Sequence, residues 1–206
     1  MGRGLFITFE GIDGCGKSTQ FQMLKEYLES KGVDFIVVRE PGGTVIGEKI
    51  REILLNKKND SMRPLTELLL FEAARAQITE EVIRPALEKG TCVLCDRFFD
   101  STYAYQGYAR KLGAEKVLML NDLATAGLEP DITFLIDIPV SVALERRGIR
   151  GEADDRMEAL GTAFQEDVRK GYLEAAEKFS RIKVIDGKDE PSVVFEKVKN
   201  YYEEYK

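Results

Sequence analysis

The 206-residue chain contains no histidine. That absence excludes a Ser-His-Asp or Cys-His catalytic arrangement, a phosphohistidine relay and any His-ligated zinc site. Cysteine is scarce, with only Cys15, Cys92 and Cys95. An odd, low number argues against a disulfide framework, cannot complete a four-ligand Cys/His zinc centre, and fits a reducing compartment. No stretch approaches the roughly 18 consecutive apolar residues of a membrane span. Residues 1–11 hold too short an apolar run for a signal peptide. Phe6 stands where an N-myristoylation signal needs Ser or Thr. Positive charge is also in short supply: the net charge is −6, unlike that of a strongly basic nucleic-acid binder. These absences predict a cytoplasmic protein with no membrane and no nucleic-acid partner.

What is present is an ordinary globular composition, 44% apolar and 32% charged, of a length that predicts one domain over residues 1–206. Short apolar runs alternate with helical periodicity. Strands are predicted at Leu5–Phe9, Phe35–Val38, Cys92–Cys95, Thr133–Ile136 and Lys183–Ile185. Helices are predicted at Lys17–Lys31, Val45–Leu55, Ala114–Thr125, Val140–Arg147, Asp155–Phe179 and Pro191–Tyr205, with a further one from Pro64 toward Lys89 that Pro85 kinks or splits. Near-continuous apolar strands separated by helices imply an α/β fold: a five-stranded parallel sheet covered on both faces. Cys92 and Cys95 are three apart on a strand, point to opposite faces and read as small core residues rather than a CxxC site. Arg146–Arg156 is a dense charged run and reads as a loop.

The strongest signal is Gly11-Ile12-Asp13-Gly14-Cys15-Gly16-Lys17-Ser18, which matches the phosphate-binding P-loop at every fixed position, between a predicted strand and a predicted helix. Glycines let successive backbone N–H groups converge on one anion, and the helix N-terminus adds partial positive charge. Lys17 is expected on the β- and γ-phosphates of ATP and Ser18 on Mg²⁺. Gly11 through Ser18, with Thr19 following, form the expected ATP-binding set. Asp96, at the end of the apolar run ending in Cys95, is expected to orient Mg²⁺ through water; the alternative is a carboxylate capping a turn. Cys15 reads equally as a reactive thiol or a structural one. Asn56-Lys57-Lys58-Asn59 lacks the carboxylate of a guanine-reading motif and lies too early in the chain, which argues against a GTPase.

Several separated motifs carry a resemblance: FEGIDGCGKSTQ (9–20), REPGGT (39–44), LFEAAR (70–75), DRFFDSTYAYQG (96–107), PDITFLIDIP (130–139) and DRME (155–158). As an ordered set they resemble the bacterial-type thymidylate kinases almost end to end. The resemblance implies the nucleoside monophosphate kinase fold and transfer of the ATP γ-phosphoryl group to dTMP, with Mg²⁺, in a homodimer. It puts Phe71 and Arg75, four apart on one helix face, on thymine, as a stacking ring and a donor to O4. Read without the resemblance, the pair is better taken as a core Phe and a surface Arg. Thr102 and Gln106, with Ser101 beside them, complete the base contacts. Tyr105 lies against the sugar or is a packing residue, and Pro41 lines the methyl side. Arg97, with help from Arg51, takes the dTMP phosphate, and Asp13 meets the 3′-hydroxyl.

The family pattern also has a departure. Some members carry an arginine where this chain has Gly14. Bacterial-type members place arginines in a lid instead, here about 146–156. The resemblance gives Arg150 the transferring phosphoryl group and Arg146 the adenine, leaves Arg147 unassigned, and competes with the reading of a solvated charge run. Lys17, Arg97 and Arg150 are thus the expected catalytic residues. The rival functions are a kinase of deoxynucleosides or other deoxynucleotides on the same fold, and a nucleotide-dependent switch.

Overall fold

In the computed structural model, residues 2–150 and 155–206 are described, Arg150 and Glu158 by their backbone only. Five strands, β1 (Phe6–Glu10), β2 (Phe35–Arg39), β3 (Cys92–Asp96), β4 (Ile132–Asp137) and β5 (Ile182–Asp186), form one sheet in the order β2-β3-β1-β4-β5. Every pairing is parallel, with Phe6 opposite Val93 and Ile7 opposite Ile132. Each strand ends one residue beyond its predicted bound, because the polar residue there still pairs although it breaks the apolar run; β1 starts one residue later than predicted, and β4 and β5 one residue earlier.

Both sheet faces are buried. Ile7, Phe9, Cys92, Leu94 and Phe134 join one apolar cluster, and Phe6, Val93 and Cys95 join the other. The alternation puts Cys92 and Cys95 on opposite faces, as the strand period requires. All three thiols are free and buried.

The helices are α1 (Lys17–Ser30), α2 (Val45–Leu55), α3 (Pro64–Ile78), α4 (Arg84–Glu88), α5 (Phe99–Thr102), α6 (Ala114–Thr125), α7 (Val140–Arg150), α8 (Thr162–Lys178) and α9 (Pro191–Tyr205). The Thr44 hydroxyl caps α2 by accepting from the Gly47 N–H at 2.9 Å. Pro85 neither ends nor sharply splits its helix: a widened π-helical turn, Thr79–Ile83, joins α3 to α4 and accommodates the proline ring and its missing N–H. A second π-helical stretch, Tyr103–Ala109, continues α5 and carries the DSTYAYQG motif as one helix.

Two expectations fail. The Arg146–Arg156 run is not a loop throughout, because α7 continues through Arg150; its helix-compatible residues extend the turn begun by the apolar face of Val140 and Ala143. Within the rest of that expected lid, residues 151–154 lie outside the described residues. The helix predicted from Asp155 starts only at Thr162, since Gly161 at φ 84° breaks it after a short 3₁₀ turn, Glu158–Leu160.

The strand order places the site. From β1 the chain passes out to the β2 edge, returns through β3, and then crosses to β4 on the other side of β1. The loop after β1 therefore lies at the topological switch point, where open α/β sheets leave a crevice beyond the strand ends.

Candidate active site

Residues 11–16 link β1 to α1, and Gly11, Gly14 and Gly16 all have positive φ, at 140°, 90° and 96°. A side chain at Gly11 would put its Cβ 2.5 Å from the Ile136 carbonyl oxygen, so only glycine lets the loop pass this close to β4. Helix α1 opens with no side-chain cap, which leaves its N-terminus facing the crevice as an anion site.

The crevice is a cavity of about 280 Å³. It brings together sixteen of the expected residues: Ile12, Asp13, Gly14, Cys15, Gly16, Lys17 and Ser18 on one side, and Pro41, Arg51, Phe71, Asp96, Arg97, Ser101, Thr102, Tyr105 and Gln106 on the other. Across the P-loop lies a second cleft of about 230 Å³, lined by Cys15, Gly16, Thr19 and Arg146 together with Gln20 and Gly187. Arg146 Nη1 donates to the Gly187 and Cys15 carbonyls at 3.1 and 3.4 Å. The expected donor-side residues thus border two clefts that share the P-loop. The side chain of Arg150 lies outside the described residues.

Charge is tightly paired at the acceptor side. Lys17 Nζ forms an ion pair with Asp96. Arg97 follows β3 in the left-handed region, φ 67°, which a non-glycine residue rarely adopts and which is common at sites that aim a side chain. Its guanidinium donates from Nη2 to Asp13 Oδ1 at 2.6 Å, and from Nη1 to the Gly11 carbonyl and to Tyr172 Oη, both at 2.9 Å. Burial pushes the Asp13 carboxyl up, but Arg97 and Lys17 outweigh that and hold it below its usual range. Arg147, unassigned from sequence, also acts on Asp13 by its charge. Tyr105 lies beneath Arg97, whose guanidinium carbon is 5.6 Å from the ring centre. Arg51 Nη1 donates to the Pro41 carbonyl at 2.9 Å. The Gln106 amide donates to Glu67 at 2.8 Å, and Glu67 also pairs with Arg110 and Arg156.

Arg75 departs from the surface position that its reading without the resemblance gives. It is not a surface residue, with an exposure of 1%, and it does not line the cavity. It lies directly behind the wall, paired with Glu40 and Glu72 at 2.8 Å and donating to Thr102 Oγ1 at 3.1 Å. Phe71 is the half-buried member that reaches the cavity. Gly11 also stays off the cavity wall and contributes its carbonyl to Arg97. Cys15 is buried, and burial raises its thiol, so the structural reading holds over the reactive one.

Sequence reasoning missed Arg39, Glu40, Leu55, Asp155 and Met157 on the cavity wall. Arg39 and Glu40 belong to the REPGGT motif and Asp155 and Met157 to DRME, so the signal lay within the motifs. Arg156, between those two, is 7% exposed and donates from Nε to the Leu54 carbonyl at 2.6 Å, which fastens this segment to the end of α2.

A parallel sheet in this order, with a glycine loop and an open helix N-terminus at its switch point, defines a P-loop phosphotransferase of the nucleoside monophosphate kinase fold. The sequence model of the thymidylate kinase family matches residues 9–198. The chain is 52% identical over 204 residues to the thymidylate kinase of Caldanaerobacter subterraneus subsp. tengcongensis, covering 98% of this chain and 97% of that one. It is 50% identical over 201 residues to that of Thermosipho africanus, covering 98% of both chains. The crystal structure of thymidylate kinase from Ehrlichia chaffeensis superposes with a TM-score of 0.79 at 36% identity, over 97% of this chain and 99% of that one. The chain belongs to the thymidylate kinase family.

Proposed function

We propose that this protein transfers the γ-phosphoryl group of ATP to dTMP, giving dTDP and ADP. The observation that carries the proposal is the single cavity that joins Lys17 and the P-loop to Arg97, Arg51, Phe71, Thr102 and Gln106, a phosphate cradle opposite a base-sized pocket with a cationic acceptor site between them. Phosphoryl transfer relies on positioning and on neutralising charge that is shared among phosphate oxygens, so a chain without histidine can perform it. Arg97 holds the acceptor phosphate in line, with Arg51 beside it, and Lys17 meets the migrating group once drawn from Asp96. Phe71 stacks on thymine. Arg75 reaches O4 only from behind the wall, and it also fixes Thr102, which does face the base. Arg146, held over the second cleft by two carbonyls, covers adenine, and Arg150 closes on the transferring group.

Ser18 and Asp96 on the cavity wall are hard oxygen donors. Among the described residues no group of three His, Cys, Asp or Glu side chains could hold a metal ion. Such a sparse set suits Mg²⁺, which keeps waters and phosphate oxygens as its other ligands. When bound, the ion would neutralise phosphate charge; Ser18 would contact it and Asp96 would orient its waters.

The protein is proposed to act as a homodimer. Val45, Ile46 and Ile53 on α2, Leu65 and Leu69 on α3, and Met119 and Leu123 on α6 are exposed, and α3 packs against both α2 and α6. Exposed apolar side chains on three neighbouring helices suit a second copy of the chain. The three free thiols suit the cytoplasm, and no described helix is long and apolar enough to cross a membrane.

The test is an ADP-release assay with ATP and Mg²⁺ across nucleoside monophosphates and thymidine. dTMP should be the best acceptor, dUMP weaker, and dCMP, dGMP and thymidine poor; Lys17→Ala should abolish turnover. Purine monophosphates matching dTMP in kcat/KM, or thymidine outperforming it, would overturn the assignment.

A further inference from the structure

Behind Arg97 lies a buried polar cluster that the reaction described so far does not use. Glu10, the last residue of β1, is fully buried. Its carboxylate accepts from the Phe98 N–H at 2.7 Å, from the Ser101 hydroxyl at 2.6 Å and from the Tyr172 hydroxyl at 2.9 Å. Tyr172 comes from α8, far along the chain, and is 2% exposed. Its hydroxyl oxygen in turn accepts from Arg97 Nη1 at 2.9 Å and lies 2.8 Å from Ser101 Oγ. Arg97 Nη1 and Glu10 Oε2 themselves stand 3.9 Å apart.

Opposite charges this close in a dry interior attract strongly, and direct contact would need the guanidinium to move by about 1 Å, to an ordinary charge-assisted distance of about 2.8 Å. That movement would draw Arg97 away from the cavity it lines. The Tyr172 hydroxyl occupies the space between the two groups and satisfies both, as an acceptor for the cation and a donor for the anion. Nη1 also donates to the Gly11 carbonyl at 2.9 Å, with a longer contact of 3.4 Å to Ser101 Oγ, and Asp13 takes one of the Nη2 hydrogens. Nε–H and the second Nη2–H make no hydrogen bond to a described residue, and they are the pair a phosphate would take.

We infer that Tyr172 is a positioning residue for the acceptor phosphate: its hydroxyl is a spacer that keeps Arg97 from collapsing onto Glu10 and holds the guanidinium at the cavity wall. This rests on the reading of Arg97 as the dTMP-phosphate ligand. A displacement of about 1 Å in a positioning group can cost about 10²-fold in rate, so the hydroxyl matters without touching substrate.

The experiment compares wild type, Tyr172→Phe, Glu10→Gln, Tyr172→Phe/Glu10→Gln and Arg97→Ala in full-length protein. It runs at about pH 8, above the value of about 7 to which burial pushes Glu10, so that the anion is charged. Steady-state kinetics are combined with calorimetric binding of dTMP and thymidine. Tyr172→Phe should lower kcat/KM for dTMP about 10- to 100-fold, leave the KM for ATP within about twofold, and weaken dTMP binding while sparing thymidine. Removing the anion as well should restore much of the loss, because nothing then draws Arg97 inward. The inference is overturned if Tyr172→Phe is silent, if it weakens thymidine and ATP as much as dTMP, or if the double variant merely adds the two losses. A Tyr172→Phe chain that does not fold overturns it too when the double variant folds but gains nothing over Glu10→Gln. Arg97→Ala separates the premise: if that variant still binds dTMP in preference to thymidine, the reading of Arg97 is wrong, whatever Tyr172 does.

Discussion

Gly14 couples the phosphate loop to the helix that carries the lid arginines, and replacing it with alanine tests that coupling. At φ 90°, a Cβ on residue 14 would lie 2.4 Å from the Ala143 carbonyl oxygen and 3.0 Å from Arg147 Cγ. The backbone conformation alone costs an L-residue roughly 1–2 kcal/mol. Relieving the clash requires α7 to retreat by about 1 Å. Val140 and Ala143 are nearly inaccessible, so the retreat disturbs a packed core, at about 1–3 kcal/mol. Together these give about 2–5 kcal/mol, which for a chain of this length lowers the melting temperature by about 5–15 °C. Gly32→Ala supplies the control, because Gly32 has φ 65° with nothing within 4 Å of the added Cβ; it should lose only the conformational part, about 1–2 kcal/mol. The assay is calorimetric melting of both variants without ligand, followed by the KM for ATP. Gly14→Ala should also raise that KM, since α7 carries Arg146 over the second cleft. Equal melting temperatures for the two variants, with ATP binding unchanged, would refute the reasoning. The same geometry explains why this chain could not carry the family's alternative arginine at position 14 unless α7 stood further from the loop.

Three further outcomes are expected. Arg75→Ala should lose about 3–5 kcal/mol of stability, since it strands two buried carboxylates, Glu40 and Glu72; denaturant unfolding checks this, and a change confined to base selectivity would contradict it. Stability should fall as pH rises from about 5 to about 8: burial pushes Glu10 and Glu40 up to about 7, so the native state holds more protons than the unfolded chain across that window, each group being worth on the order of 3 kcal/mol. Asp13 and Glu67 are held below their ordinary range and oppose this only at lower pH; Glu10→Gln should flatten the slope of melting temperature against pH. Arg150→Ala should lower kcat far more than it raises the KM for dTMP, whereas Arg146→Ala should chiefly weaken ATP binding; steady-state kinetics with each substrate varied distinguish the two, and silence of both single variants and of the pair would leave only a solvated charge run.

Local pattern determined most of the framework. An apolar run with β propensity followed by a glycine-rich turn and an amphipathic helix has one stable arrangement, so β1, the P-loop and α1 were legible from Phe6 to Ser30, as were α2, α6 and α9 over their whole length. The opposite facing of Cys92 and Cys95 followed from the strand period alone. The ends of elements were less legible where polar residues are structural, as at Glu10, Asp96 and Asp137. Position 161 showed its effect only in the structure, because a glycine inside helical periodicity is either tolerated or a break, and packing chooses. Beyond Arg147, where the predicted helix ends, residues 148–150 carry no apolar face that would announce more of it; α7 extends through them because its first two turns are anchored in the core.

For the site, sequence supplied sixteen of the residues that touch the cavity, since a P-loop and an Asp-Arg pair after a core strand are local signals. Tertiary structure alone decided what holds them. Arg75 has the same identity and spacing whether it faces solvent or lies between Glu40 and Glu72, and Glu40 is 35 residues away. Tyr172 sits on α8 at a spacing that reads as packing, and only the sheet order brings it, 75 residues from Arg97 in sequence, to within hydrogen-bond distance. Periodicity and motifs report on neighbours along the chain. Charges buried between distant elements are set by which elements the fold places together, and that information becomes local only in three dimensions.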